Sequence, residues 1–414
     1  MASVLLYHVV GDLTVGKPEL SEFLETWTVE SAMKAIGGTT EGGLPVWKPR
    51  TASAAAEVEE RAEGLARRFV GIVDSMDIVS FLARAGDHDK ALAAPISAVV
   101  RPNGSLLKVV DPGTRLIDTL EMMKQGVRRL LVRKNLAWKG MSKRFSILYN
   151  GKWLKNLDTS ASNNAITTTA TSSDNNKPSS SSFHGNKFCC LSREDVLRFL
   201  IGCLGALAPI PLSSISSLGV INPHYSLIDA SAPAIEATQN RPEDPCAVAV
   251  VESTPDDTLK IIGEISASKL WKCDYLGASW ALANLSAGQF VMGVEDNTTT
   301  GIVPEFSMSS DSSTGVGVIR ARKFSSRSIG FFSNQAGLRF GSGFVGGSMY
   351  RGRTAPLTCK ENSSLAAVMA QVLSHRATHV WVTDSRTEDT LIGVIGYNDI
   401  LAAVTKHPNS VAMP

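Results

Sequence analysis

Residues 391–406 read LIGVIGYNDILAAVTK. Leu391–Ile395 is a short apolar run of the length of a buried strand. Gly396 follows as a turn, and Ile400, Ala403 and Val404 then recur at the spacing of one helix face. Asp399 falls in the first turn of that helix, where a carboxylate complements the helix dipole. The same strand–turn–helix succession occurs in FVGIVDSMDIVSFLAR (69–84), KFCCLSREDVLRFLIG (187–202) and IIGEISASKLWK (261–272). Asp77 and Asp195 take the place of Asp399 in two of these, and Lys269 takes it in the other. Upstream of each lies a helix followed by a strand, at 28–47, 114–132, 231–251 and 363–382. In the second, Leu116, Leu120, Met123 and Val127 keep helical spacing, and Leu130–Val132 then reads as a buried strand. The unit is therefore helix, strand, strand, helix, repeated four times. A unit of about 55–60 residues cannot bury both faces of its own small sheet, so the units are expected to pair.

The turn carries a pattern: glycine, two apolar residues, a hydroxyl residue, and an aspartate three positions on. It reads Gly71-Ile-Val-Asp74-Ser-Met-Asp77, Cys189-Cys-Leu-Ser192-Arg-Glu-Asp195, Gly263-Glu-Ile-Ser266-Ala-Ser-Lys269 and Gly393-Val-Ile-Gly396-Tyr-Asn-Asp399. With the Leu44-Pro45-Val46 strand, this pattern resembles the cystathionine-β-synthase (CBS) repeat, which pairs into Bateman modules. The four-repeat layout is similar to the γ regulatory subunit of AMP-activated and sucrose-non-fermenting protein kinases. The resemblance implies an α/β fold of four CBS repeats in two Bateman modules, 1–205 and 206–407, with long disordered insertions. Repeat 1 is placed at 1–90 and repeat 2 at 91–205, with an insertion at about 134–187 whose low-complexity part is 158–186. Repeat 3 is placed at 206–274, a helix at 275–294, a flexible linker at 295–352 and repeat 4 at 353–407.

Composition narrows the function. The 414 residues carry a net charge of +2, with 43% hydrophobic and 19% charged residues, enough apolar mass for a core. That near balance argues against a nucleic-acid binder, whose footprint is a strong basic excess. Six scattered cysteines do not make a disulfide scaffold and none has metal-ligand spacing, so no metal is expected. The amino-terminal MASVLLYHVV lacks the marks of a secretory signal. Asn284, Gln289 and the glycines of 275–294 suit a buried helix better than a membrane span. The expected location is cytoplasmic, with the nucleus left open.

In the family, the aspartate holds the ribose hydroxyls and the hydroxyl residue donates to a phosphate. The resemblance carries these roles to Asp77, Asp195 and Asp399, and to Ser192 and Ser266. A basic residue before the second-half strand reaches the phosphates in the kinase subunits, a place matched by Arg128, Arg129 and His379. The chain departs from the pattern at Asp74, Gly396 and Lys269, so only the second repeat has both partners. A competing reading needs no ligand, because Ser192-x-x-Asp195 has capping-box spacing and Asp74 can cap its helix. No P-loop, dinucleotide, zincin or kinase motif accompanies these turns, and no enzyme activity is expected. The implied function is a non-catalytic regulator binding AMP, ADP or ATP and acting on a protein kinase complex, without a membrane partner. A ligand-free interaction scaffold and a redox regulator acting through thioredoxin stay open, as does a homodimer.

Overall fold

The computed structural model describes residues 3–39, 42–50, 62–134, 147–149, 152–154, 188–239, 241–256, 258–271, 273–293, 355–387 and 390–405. The two expected insertions lie outside the described residues, apart from Lys134 and two short strands, β6 (Ile147–Tyr149) and β7 (Lys152–Leu154), which pair antiparallel.

Four three-stranded sheets repeat one topology. The first contains β1 (Phe23–Leu24), β2 (Gly43–Trp47) and β3 (Phe69–Asp74). The second contains β4 (Leu107–Val110), β5 (Arg129–Arg133) and β8 (Phe188–Ser192). The third contains β9 (Leu227–Asp229), β10 (Ala247–Ser253) and β11 (Leu259–Ser266). The fourth contains β12 (Thr358–Lys360), β13 (His379–Thr383) and β14 (Leu391–Gly396). In each, a short strand lies parallel to the middle one and the last strand pairs antiparallel to it. The sequence reading had two strands per unit. It missed the first because two to four residues carry too little periodicity to register.

The sheets meet in pairs. Trp47 and Phe69 of the first sheet close on Leu107, Leu131 and Phe188 of the second. Ala249, Val251 and Ile261 of the third close on Trp381, Leu391 and Val394 of the fourth. The helices bind the pairs to one another. Met76, Val79 and Leu82 of the Ser75–Arg84 helix share a core with Tyr275, Ala278 and Leu282. Leu116, Leu120, Val196 and Leu200 share another with Val368, Val372, Ile400 and Leu401. Each repeat thus buries its sheet against one neighbour and its helices against another.

Two expected elements differ. The single helix at 275–294 is two helices, Tyr275–Asn284 and Ala287–Met292. Ser286 starts the second by accepting from Gln289 N–H, with the Gln289 side chain returning to Ser286 N–H. Both pack into the core of repeat 3. The helix expected after residue 231 is a short 3-10 turn, Ala234–Thr238, following Pro233. Among the described residues no helix is long and apolar enough to cross a membrane.

The motif glycines serve packing. A Cβ on Gly71 would lie 2.4 Å from the Arg101 carbonyl oxygen, and one on Gly393 would lie 2.9 Å from that of Asn222. Backbone of a neighbouring segment runs directly over each strand, and only glycine leaves it room.

Candidate functional site

Strand register brings each turn beside the residue that opens the middle strand. Gly43 pairs with Asp74, Arg129 with Ser192, Ala247 with Ser266, and His379 with Gly396. Stacking the sheets in pairs then aims all four turns at one cavity of about 120 Å³. Its lining comes from every repeat: Gly43 and Asp74, Arg129 and Ser192, Asp244 and Ser268, Thr378 and Tyr397. Four arginines, Arg128, Arg129, Arg193 and Arg376, face four acids, Asp74, Glu194, Glu243 and Asp244. Three of the acids are ion-paired: Asp74 to Arg241, Glu194 to Arg198 and Asp244 to Arg193. Among the described residues Arg128 and Arg376 have no ion pair. Arg128 donates to the Glu243 carbonyl, and the Arg376 guanidinium lies 5.1 Å from the Trp271 ring centroid. Arg376 sits in the left-handed region, φ 52°, at the end of the Leu365–His375 helix. The second repeat has Gly126 at the matching place, with φ 103°. Pockets for drug-sized ligands span roughly 300–1,000 Å³. The cavity therefore has room for a phosphate-sized group and not for a whole nucleotide.

The first turn is a reciprocal cap. Asp77 N–H donates to Asp74 at 2.9 Å, and Asp74 N–H donates to Asp77 at 3.1 Å. Arg241, from the loop before β10, reaches both carboxylates and also donates to Cys246 Sγ at 3.1 Å. Burial and the neighbouring Asp74 push Asp77 up to about 7, against the pull of Arg241. Asp77 also edges an open groove of about 510 Å³ lined by Phe81, Arg84, Lys90 and Arg101.

The second turn holds Ser192 and Asp195 as a capping box, with Ser192 N–H and Oγ–H both donating to Asp195 Oδ2 at 2.8 and 3.0 Å. Lys17 Nζ lies 2.6 Å from that same oxygen. Arg193 is buried and donates to the Val127 and Met123 carbonyls and to Asp244. In the third turn Ser266 is fully buried, caps Lys269 N–H, and donates to Glu264 Oε1 at 2.8 Å. In the fourth, Asp399 Oδ2 accepts from Gly396 N–H at 2.8 Å, and no described cation pairs with it. Burial, with the Asp244 charge nearby, raises its pKa above the ordinary carboxylate value.

Several expected site residues therefore stand elsewhere than the resemblance implied. Arg128, Arg129 and Ser192 line the cavity. Asp77 and Asp195 are each met by a resident cation. Ser266 is turned to Glu264. His379 was expected to reach a phosphate. It lies instead in the interface between the third and fourth sheets, fully buried, with Nε2 3.2 Å from Glu264 Oε2. Trp381 Nε1 donates to the same carboxylate. Burial opposes the Glu264 charge, yet His379 and these hydrogen bonds hold its pKa down to about 2.

The sequence reading missed Lys17, Arg241 and Asp244, which sit in irregular segments and carry no motif, and Trp271, which follows the one-turn Ala267–Leu270 helix. Arg193 was legible in principle, since it lies inside the Ser192–Asp195 turn. Asp244 joins three repeats, taking Arg193 from the second and Asn398 Nδ2 from the fourth at 3.1 Å. Burial raises the thiols of Cys189, Cys203, Cys246 and Cys359, which disfavours thiolate chemistry.

A family model described as the CBS domain matches residues 352–406. The chain is 60% identical, over 99% of its length and 96% of the relative's, to the CBS domain-containing protein CBSX6 of Arabidopsis thaliana. It is 28% identical to the SNF1-related protein kinase regulatory subunit gamma-like PV42b of the same plant, over 31% of this chain and 40% of that one. A solved structure of protein MJ1225 from Methanocaldococcus jannaschii superposes with a TM-score of 0.48 at 11% identity, over 95% of this chain and 99% of that one.

Proposed function

The chain belongs to the CBS domain-containing proteins, and from that premise we propose that it is a non-catalytic regulator that binds an adenosine nucleotide and acts on a protein kinase of the SNF1-related class. The observation that carries the reading is the meeting of four strand–helix turns around one arginine-lined cavity. The phosphates enter beside Arg128 and Arg376, two cavity arginines with no described ion pair. The nucleoside lies outside that small space, at the fourth turn, where Asp399 has no competing cation and can accept from both ribose hydroxyls. Because all four repeats border the cavity, a ligand that binds one arrangement of the repeats better than another shifts their population. A kinase that contacts more than one repeat reads that shift. The name of the gamma-like relative supports the choice of partner, and the site of action is the cytoplasm or nucleus.

Calorimetry and thermal shift on the full chain with AMP, ADP, ATP and S-adenosylmethionine test the nucleotide reading. A well-folded protein giving neither heat nor a shift with any of them overturns it. Co-purification with a SNF1-related kinase tests the partner.

A second reading, the ligand-free scaffold, is favoured by one observation. At three of the four turns a lysine or arginine already stands where a ligand is needed: Arg241, Lys17 and Lys269. Asp399→Asn separates the two, since it weakens nucleotide binding in a sensor and leaves partner binding untouched in a scaffold.

A further inference from the structure

The second turn is the one whose sequence best matches a nucleotide site, and it is also the one most completely engaged from within. Residues 3–20 form a strap over repeat 2. Leu5 and Val10 are fully buried and Leu13 nearly so, in the core shared by Leu116, Leu120, Leu197 and Leu200. Backbone bonds hold the strap along its length: Val10 N–H to the Thr114 carbonyl at 2.9 Å, Leu116 N–H to the His8 carbonyl at 2.8 Å, and Leu20 N–H to the Phe188 carbonyl at 2.8 Å. Gly16, at φ 78°, turns the chain in the left-handed region open to glycine. The next residue, Lys17, then delivers its ammonium 2.6 Å from Asp195 Oδ2. Both side chains are under one-tenth exposed. Ser192 N–H and Oγ–H fill the remaining acceptor capacity of that oxygen, and Arg198 stands 3.7 Å from the other.

We infer that Lys17 is the specificity-determining residue of the second repeat: it occupies Asp195 in cis and shuts that turn to any ligand bound through a vicinal diol. The inference rests on the nucleotide reading for what is excluded, but not for the pairing itself. A buried ion pair breaks expensively when one partner is removed, because the other charge stays desolvated. The strap is anchored by its apolar side chains and by main-chain bonds, so the ammonium does not depend on Asp195 alone for its position. Motif quality and ligand capacity are therefore uncoupled here: the turn keeps its pattern because the pattern caps the helix and seats the lysine.

The test uses the full chain and its Lys17→Met, Asp195→Asn and doubly substituted forms, with AMP as the probe. In urea unfolding, each single substitution lowers the midpoint and the double lowers it by less than the sum of the two, the sign of direct coupling. Strict additivity overturns the pairing. In calorimetry, Asp195→Asn leaves the AMP affinity of the otherwise intact chain within about twofold, and a loss of about tenfold or more overturns the inference. Lys17→Met raises AMP uptake, and adding Asp195→Asn removes the rise. A Lys17→Met chain that takes up no more AMP than the parent overturns the exclusion. If the parent binds no nucleotide, the nucleotide reading fails, and the unfolding cycle still upholds or overturns the pairing by itself.

Discussion

The turns at 192–195 and 396–399 have the same backbone course and the same helix-start carboxylate, yet their chemistry differs. Asp195 caps its helix and carries Lys17. Asp399 accepts the Gly396 amide and meets no described cation. The motif is stronger at the second turn and the carboxylate is more available at the fourth. A local pattern thus specifies the cap, and a residue nearly 180 positions away in sequence decides whether the cap is also a site.

The largest expected consequence is in stability. Asp195→Ala takes the buried carboxylate away from the Lys17 ammonium and costs about 3–5 kcal/mol. Asp399→Ala loses only a cap, about 0.5–2 kcal/mol. Urea unfolding of the two variants side by side checks this, and equal losses would erase the distinction between the turns. Next in size is ligand affinity. Asp399→Asn weakens AMP binding about tenfold or more, equivalent to about 1.4 kcal/mol, which calorimetry reads directly.

The third turn supplies a pH dependence opposite in sign to that of the raised Asp77 and Asp399 carboxyls. Glu264 has a folded pKa of about 2, below its ordinary 4.5. Its stabilisation is therefore complete above about pH 4.5 and is lost as pH falls toward 2, because the unfolded state takes up the proton first. In Glu264→Gln the acid limb of the stability–pH curve flattens across that window, as acid titration followed by circular dichroism will record. The smallest effect is at the cavity edge. Arg376→Gly exchanges a left-handed arginine for a residue that tolerates that backbone and gives up the contact with Trp271. The two changes offset, leaving stability within about 1 kcal/mol, while the preference for AMP over adenosine falls. Unfolding and competition binding together check it.

Much of the fold was readable because it rests on periodicity. Leu116, Leu120 and Met123 on one helix face, and Leu130–Val132 in the strand after it, are buried as their spacing requires. The leading strands were not readable, since Phe23–Leu24 or Leu227–Asp229 acquires its conformation from the middle strand it joins. At the site, Arg128, Arg129 and Ser192 reached the cavity through register alone, because each lies at or beside the pair that opens the sheet. His379 has the same register place as Arg129 and a different fate. Glu264 on the facing sheet offers it a buried carboxylate, and that partner has no signature in the sequence around His379.

The chain's residues, read by themselves, determined four recurrent α/β units, the helix caps that begin them and the polar character of each turn. These follow from contacts within a few positions, where spacing and residue type are sufficient. Tertiary structure alone decided which carboxylate stays open, which histidine is buried, and which four arginines share one cavity. Those outcomes depend on charges brought together from distant segments, and electrostatic pairing in a desolvated interior is set by distance in space rather than by separation along the chain.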